Sequence, residues 1–399
     1  MTKRYEKIDK SFFDEVHDRT GTGAIKYDVT PGGVSYPDML PLWVADMDFK
    51  APPAVTDALV SCARHGIFGY TDLGEEYGRA VTDWFYRRMG LRADPSWIVK
   101  APGVVFSMCM AIRALCAPGD AVLICQPVYH PFAKIIPANG RRLAVTELVM
   151  KNGRYEIDFG DFEDKIKRNN VKLFLLCSPH NPVSRVWTRA ELEKMAEICR
   201  RHGVLVVSDE IHSDFVYEGH THIPFASLSS EVSDMTVTCT APSKTFNLAG
   251  LQAANMLIEN KTLRERVRRE CLSAGYGGHN VAAACASLAA YKHGEQWLEV
   301  LLSYLSDNVG LLSEALDATN GKVTLIRPEG TYLMWLDCRA LSMTDEELDA
   351  FFLKSAGLYL NSGYIFGRGG SGFMRMNIAC PKETLDAALG RLSRAVSKL

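Results

Sequence analysis

The sequence lacks an excess of charge of either sign: 45 Lys and Arg residues stand against 47 Asp and Glu residues, for a formal net charge of −2. Proteins that bind nucleic acids normally carry a clustered basic surface. The one basic run, "RERVRRE" at residues 264–270, is interrupted by Glu265 and is typical of a solvated helix face. The charge distribution therefore predicts no nucleic-acid partner.

Paired cysteines and long apolar runs are also missing. The 11 cysteines form no CxxC pair, so their spacing predicts neither a metal site nor a disulfide framework. Cys125 and Cys177 lie within apolar stretches, where a reduced thiol acts as a small hydrophobic side chain. No apolar run has membrane-spanning length, and "MTKRYEKIDKSFFDEV" lacks a signal-type apolar block. We expect a cytoplasmic protein with no membrane partner.

The middle of the chain alternates short apolar runs with helical patterns, without repeats or low-complexity linkers. Four of the runs predict buried strands: Ala121–Val128, Leu173–Pro179, Val204–Asp209 and Met235–Thr240. Between the second and third runs, Thr188 and Glu191 form a capping-box pattern, and Gly203 suits the end of the same amphipathic helix. This strand–helix–strand unit predicts an α/β fold with a mostly parallel sheet.

The C-terminal third has a different pattern, in which long helical stretches surround two further predicted strands. These are "KVTLIRPEGTYLMWLDC" at 322–338 and "GFMRMNIAC" at 372–380. A chain of 399 residues is long enough for two domains. We infer a large domain over residues 51–290 and a smaller domain formed by residues 1–50 together with 291–399.

Polar side chains follow the predicted strands, and ligands of open α/β sheets bind at the carboxyl ends of strands. The candidates are Tyr129, Asn181, Asp209, His212, Thr240, Ser243 and Lys244, and Gly103, Val104 and Val105 begin a helical pattern upstream. Taken singly, each has an ordinary structural explanation, such as a helix cap, a turn or a lysine that reaches water. Together they place an acid, an amide, an amine, an aromatic ring and a helix start along one sheet edge, which packing alone does not explain.

Pyridoxal phosphate (PLP) is the cofactor that needs this set. It requires a lysine for its Schiff base, here Lys244, and an acid facing its pyridinium nitrogen, here Asp209. Asn181 would donate to the phenolate oxygen of the ring, and Tyr129 would stack on its face. The backbone amides after Gly103 would meet the phosphate at a helix N-terminus, and Ser243 would add a hydroxyl donor.

The motifs "SPHNP", "SDEIH" and "APSKTFN" resemble fold-type I PLP-dependent enzymes of the aminotransferase class I/II superfamily. "LPLWVADMDF", "GIFGYT", "NPVSRVW", "EGTYLMWLD" and "GYIFGRGGSGFMRMNIACP" are similar to its carbon–sulfur lyase branch of cystathionine β-lyases and cystalysin. The resemblance covers nearly the whole chain. It implies a large domain with a seven-stranded type of sheet flanked by helices, a smaller α/β domain, and a homodimer with the active site at the subunit interface.

The resemblance also implies roles for residues outside the strand ends. Tyr70 of "GIFGYT" would reach the phosphate of the partner subunit's cofactor and join Lys244 and Tyr129 as a catalytic residue. Arg375 of "FMRMN" would bind the α-carboxylate of the substrate, a task that suits a bidentate guanidinium, with Tyr129 and Asn181 beside it.

Two positions separate the lyase branch from many aminotransferases of this class. His212 stands three residues after Asp209, where those enzymes have tyrosine, and Gln252 stands eight residues after Lys244, where they have a phosphate-binding arginine. Both changes match the lyase branch. Ser184 departs from the glycine that the family usually has, and a serine there costs free energy if the position needs a positive φ.

These features predict α,β-elimination from L-cystathionine, L-cysteine or a related S-substituted cysteine, giving a thiol or sulfide, pyruvate and ammonia. Lys244 would remove the Cα proton, and Lys244 or Tyr129 would protonate the leaving thiolate. A PLP-dependent aminotransferase and a lyase-like fold with an added regulatory, protein-binding role remain as alternatives. The loops at 360–367 and 369–373 are expected near the substrate tail.

Overall fold

A computed structural model describes residues 8–29 and 39–399 of the chain. The α-helices are α1 (Ile25–Asp28), α2 (Pro53–His65), α3 (Gly74–Met89), α4 (Val104–Leu115), α5 (Pro131–Ala138), α6 (Phe159–Asn169), α7 (Arg189–Arg201), α8 (Ser230–Asp234), α9 (Pro242–Thr245), α10 (Lys261–Ser273), α11 (Val281–His293), α12 (Glu295–Asp317), α13 (Asp345–Ala350) and α14 (Lys382–Val396). The β-strands are β1 (Leu40–Pro41), β2 (Ile98–Ala101), β3 (Ala121–Gln126), β4 (Arg142–Lys151), β5 (Arg154–Ile157), β6 (Val171–Cys177), β7 (Leu205–Asp209), β8 (Thr236–Thr240), β9 (Ala254–Leu257), β10 (Thr324–Leu325), β11 (Leu333–Asp337), β12 (Leu358–Tyr359), β13 (Asn361–Ser362) and β14 (Phe373–Asn377).

The large sheet has the strand order β2-β9-β8-β7-β6-β3-β4-β5. The pairings from β8 through β4 are parallel, while β9 runs antiparallel to both of its neighbours. The expected seven strands become eight because β4 continues into an antiparallel partner, β5. The four predicted strands are confirmed as β3, β6, β7 and β8, and their apolar runs are buried because helices cover both faces of the sheet.

The predicted helix between β6 and β7 is α7, and its capping box is present. The side chain of Thr188 accepts from the backbone N–H of Glu191, whose carboxylate accepts from the N–H of Thr188 at 2.8 Å. Gly203 follows the helix at φ 63°, a left-handed conformation that glycine adopts without strain. The helix therefore begins and ends where the sequence predicts.

A second sheet, β10-β11-β14-β13, is antiparallel throughout and contains the two strands predicted in the C-terminal third. The N-terminal segment joins this part of the chain, because β1 pairs with β12 and the carbonyl of Leu42 accepts from the N–H of Asn377 at 2.8 Å. The domain boundaries at residues 50 and 290 stay a prediction. No helix in the described ranges is long and apolar enough to cross a membrane.

Candidate active site

One cavity of about 150 Å³ lies at the carboxyl ends of the parallel strands. Six of the predicted side chains line it: Tyr129, Asn181, Asp209, His212, Ser243 and Lys244. Gly103, Val104 and Val105, at the start of α4, line it as well. The parallel arrangement of β6, β7 and β8 produces this convergence, since parallel strands end at the same edge of the sheet.

Lys244 lies on α9, the short helix that follows β8, and its Nζ donates to the carbonyl of Ala45 at 2.6 Å. The Lys244 side chain is accessible only from the cavity that it lines and is otherwise enclosed by protein. This burial lowers the pKa of Lys244 to about 8, against the attraction of the Asp46 carboxylate. A lysine amine in this environment is neutral more often than an exposed one, and it is therefore a better nucleophile and base.

Asp209 is the last residue of β7, and within the described residues its carboxylate accepts one hydrogen bond, from the N–H of Ile211 at 3.2 Å. Burial raises the pKa of Asp209 to about 7, and the neighbouring Glu210 adds to the rise. A buried carboxyl group with so few donors favours its charged form only when a cation faces it. The cavity therefore presents an acid that needs a positively charged ligand.

Arg375 lies on β14 behind the cavity and is 4% exposed. Its guanidinium donates to Asn181 Oδ1 at 3.0 Å and to the carbonyl of Trp43 at 2.9 Å, and it also contacts Asn361. Among the residues that the structure describes, no carboxylate forms an ion pair with Arg375, and its Nε has no hydrogen-bond partner. Burial lowers the pKa of Arg375 to about 10, so a carboxylate ligand would compensate a buried, unpaired cation.

His212, Asn181 and Tyr129 complete the walls of the cavity. His212 is buried, and the pKa of its imidazole lies well below its usual range because of burial and the nearby Lys244 and Arg375 charges. Asn181 uses its Oδ1 for Arg375, so the NH₂ group is the donor that its side chain has left. Its backbone carbonyl accepts from the N–H of Tyr129 at 2.9 Å, which fixes the two residues relative to each other.

The start of α4 has the properties of an anion site. Gly103 is the N-cap and no side chain in the described part of the protein caps the helix, so the first amides are left for a ligand. Ser243 and Gln252 line the same cavity, whereas no arginine and no lysine other than Lys244 does so among residues 8–29 and 39–399. An anion bound there would rely on amides and hydroxyls, as the glutamine at position 252 predicts.

Two predicted residues lie elsewhere. Tyr70 is fully exposed and lines an open cavity of about 930 Å³, which adjoins the first through Pro102 and Gln252. Thr240 is buried at the end of β8 without lining either cavity, and its Oγ1 has no partner within the described residues. The roles of Tyr70 and Thr240 stay predictions.

The structure adds groups that the sequence reasoning missed. The carbonyl of Ala45 accepts from Lys244 and also from the hydroxyl of Tyr332 at 3.1 Å, and Asn361 contacts Arg375. Ala45 was not predicted because it acts through its backbone carbonyl and has no polar side chain. Tyr332 was not predicted because it lies in an apolar run that indicates only a strand. The motif "LPLWVADMDF" was the available signal, because it places an acid beside Ala45 in a segment with family resemblance.

Ser184 adopts φ 56°, so the turn after Asn181 does require the left-handed conformation in which glycine is usual. Its Oγ donates to the carbonyl of Leu333 at 2.7 Å. This bond ties the turn to β11 and offsets part of the backbone strain.

The residues present fit PLP together with an amino acid. The lysine, the buried acid that needs a cation, the amide donor and the uncapped helix start match the aldehyde, the ring nitrogen, the phenolate oxygen and the phosphate, respectively. The unpaired Arg375 matches an α-carboxylate. Fold and site together define a PLP-dependent enzyme of fold type I.

The chain belongs to the aminotransferase class I and II family, whose sequence pattern matches residues 37–392. It is 44% identical to cystathionine β-lyase PatB of Bacillus subtilis over 96% of this chain and 100% of that protein. It is also similar to PLP-containing cystalysin of Treponema denticola, with 35% identity, a TM-score of 0.93 and coverage of 97% and 98% of the two chains. The PLP-bound C–S lyase of Staphylococcus hominis is 33% identical, with a TM-score of 0.90 and coverage of 96% and 97%.

Proposed function

We propose that this protein is a PLP-dependent carbon–sulfur β-lyase that acts on L-cystathionine, L-cysteine or related S-substituted cysteines. The products are a thiol or sulfide, pyruvate and ammonia, with one water consumed. The observation that carries the proposal is the placement of the Lys244 amine and the Asp209 carboxylate on one cavity, together with His212 and Gln252. The similarity to cystathionine β-lyase PatB and to two C–S lyase structures supports the same reaction class.

The cofactor is held by groups from several elements. Lys244 would supply the amine for the Schiff base, Asp209 would keep the ring nitrogen protonated, Asn181 would donate to the phenolate oxygen, and Tyr129 would stack on the ring. The amides of Val104 and Val105 and the hydroxyl of Ser243 would bind the phosphate. When bound, PLP supplies an electron-accepting ring that stabilises negative charge at Cα of the amino acid.

The other steps belong to side chains of this chain. Arg375 binds the α-carboxylate and so fixes the direction of the Cα–H bond. The released Lys244 amine removes the Cα proton, a role that its lowered pKa suits. The bond from Cβ to sulfur then breaks, and Lys244 or Tyr129 protonates the departing thiolate. Burial raises the pKa of Tyr129, so its hydroxyl still carries a proton at neutral pH.

The subunit arrangement is part of the proposal. A homodimer would place Tyr70 of one subunit at the phosphate of the other, and the exposed Ile67 and Phe68 beside Tyr70 supply apolar surface for such an interface. The cytoplasmic location and the division into domains at residues 51 and 290 are proposed on the sequence patterns alone.

The test is to mix purified protein and PLP with L-cystathionine and to measure pyruvate and free thiol. We expect both products from the wild-type protein and neither from a Lys244→Ala variant. Lys261→Ala, which changes an exposed lysine at the start of α10, is the matched control and should behave as wild type. If the wild-type protein formed no more pyruvate than the Lys244→Ala variant, the assignment as a lyase would be excluded.

The same reaction mixtures separate the alternatives. An aminotransferase would consume an added 2-oxo acid and form a new amino acid without releasing thiol. A regulatory, protein-binding role would persist in a Lys244→Ala variant.

A further inference from the structure

Two side chains share one backbone acceptor beside the site. Lys244 Nζ donates to the carbonyl of Ala45 at 2.6 Å, and the hydroxyl of Tyr332 donates to the same oxygen at 3.1 Å. A carbonyl oxygen has two lone pairs, so both donors are satisfied at once. Tyr332 does not line the cavity, and the Ala45 carbonyl is the group that connects it to Lys244.

The position of the Ala45 carbonyl is fixed by bonds on both sides. The side-chain amide of Asn377 donates to the carbonyls of Val44 and Asp46, at 2.7 and 2.6 Å. Arg19 donates to the Asp46 carboxylate at 2.7 Å. The segment therefore cannot turn the Ala45 carbonyl toward another donor without breaking several hydrogen bonds, and its oxygen stays directed at Lys244 and Tyr332.

The two donors differ in whether their hydrogen bond to the Ala45 carbonyl persists when the cofactor is bound. Linked to the cofactor, the Lys244 nitrogen would carry at most one N–H instead of the three of an ammonium, so its bond to Ala45 would be lost. Tyr332 is fully buried, and burial together with the Asp46 charge raises the pKa of its hydroxyl, so Tyr332 stays a donor. Ala45 is partly buried and lines the cavity, so a bound cofactor would shield its carbonyl from water. A shielded carbonyl left without any donor costs free energy comparable to a lost hydrogen bond.

We propose that Tyr332 is a positioning residue that keeps the Ala45 carbonyl hydrogen-bonded while Lys244 holds the cofactor, and that this carbonyl receives the amine again when Lys244 is released. The inference rests on the proposed PLP function. Without the Tyr332 hydroxyl, the Ala45 carbonyl would have no protein donor in the linked state, whereas it keeps the Lys244 amine as a donor in the free-amine state. Loss of the hydroxyl therefore favours release of the cofactor.

Other charged groups near Lys244 and Tyr332 also influence the pKa of Lys244. Asp46 and Asp209 attract the Lys244 ammonium, and Arg375 repels it. The imidazole of His212 packs edge-on against the ring of Tyr332, with centroids 5.8 Å apart. Replacing Tyr332 by phenylalanine keeps the ring and these neighbours and removes only the hydroxyl. The positive end of the O–H dipole then no longer opposes the ammonium, so the Lys244 pKa should rise.

The experiment compares the full-length wild-type protein with Tyr332→Phe and with Tyr217→Phe. Tyr217 is the matched control, since its buried hydroxyl has no hydrogen-bond partner among the described residues. The dissociation constant of PLP is measured by absorbance titration. Before PLP is added, the pH dependence of acylation of Lys244 is measured by mass spectrometry, which reports on the amine without any cofactor.

We expect Tyr332→Phe to bind PLP about 10-fold more weakly and to shift the midpoint of Lys244 acylation to higher pH, while Tyr217→Phe changes neither. A dissociation constant and a midpoint equal to those of wild type, or equal changes in both variants, would overturn the inference. Failure of the proposed function looks different: wild-type protein and Lys244→Ala would then give the same titration with PLP.

Discussion

Replacing Asp209 by asparagine removes the buried charge of the candidate site while keeping its shape. Burial raises the pKa of Asp209 from an ordinary 3.8 to about 7. Burial therefore disfavours the charged form of this carboxyl group by on the order of 4 kcal/mol relative to an exposed aspartate. A bound cation that faces the carboxylate offsets this penalty, and an amide cannot provide the same attraction. We expect kcat/KM for L-cystathionine to fall by about 10³-fold or more in Asp209→Asn.

The assay for this prediction follows pyruvate formation from L-cystathionine at saturating PLP. Asp337→Asn is the matched control, because Asp337 also ends a strand but forms an ion pair with Arg339 at the surface, 2.6 Å away. It should keep nearly full activity. If Asp209→Asn retained more than a tenth of the wild-type kcat/KM, Asp209 could not be the counter-charge of the ring nitrogen.

Three further predictions concern the substrate, the pH dependence and the fold. Arg375→Lys should raise KM for L-cystathionine by roughly 10- to 100-fold, because one ammonium replaces a bidentate guanidinium; initial rates would show this, and an unchanged KM would place the carboxylate elsewhere. In the cofactor-free protein, the raised Asp209 pKa makes the folded state bind more protons than the unfolded state, so its contribution to stability is lost as pH rises from about 4 to about 7. Urea unfolding should accordingly show that the free energy of unfolding falls less between pH 4 and pH 7 in Asp209→Asn than in the wild-type protein. The same pH dependence in both proteins would contradict the assignment. Ser184→Ala should lower the free energy of unfolding by about 1–2 kcal/mol, because the hydrogen bond to Leu333 is lost and the backbone strain remains. Ser184→Gly also loses the bond but relieves the strain, so the same denaturant titration should show a change in this free energy near zero.

The strand ends were the part of the site that the sequence made predictable. Asp209, Asn181 and Lys244 follow apolar runs that are buried on both faces, and such runs are characteristic of parallel strands. Once the strands are parallel, their carboxyl ends must lie together, so the convergence on one cavity follows from periodicity alone.

The rest of the site depends on contacts that periodicity does not encode. Lys244 and Ala45 are 199 positions apart and meet through a backbone carbonyl, which no side-chain pattern reveals. The unpaired state of Arg375 depends on which acids approach it in three dimensions, so only its role by resemblance was predictable. The eighth strand, β5, was missed because "RYEI" is short and mixes charged with apolar residues.

The most direct test of the central claim is the stoichiometry of products formed from L-cystathionine by the PLP-loaded protein. We predict one free thiol for each pyruvate, with no 2-oxo acid required and no product formed by Lys244→Ala. Transfer of the amino group to an added 2-oxo acid, with the carbon–sulfur bond intact, would contradict the assignment of this site as a carbon–sulfur lyase.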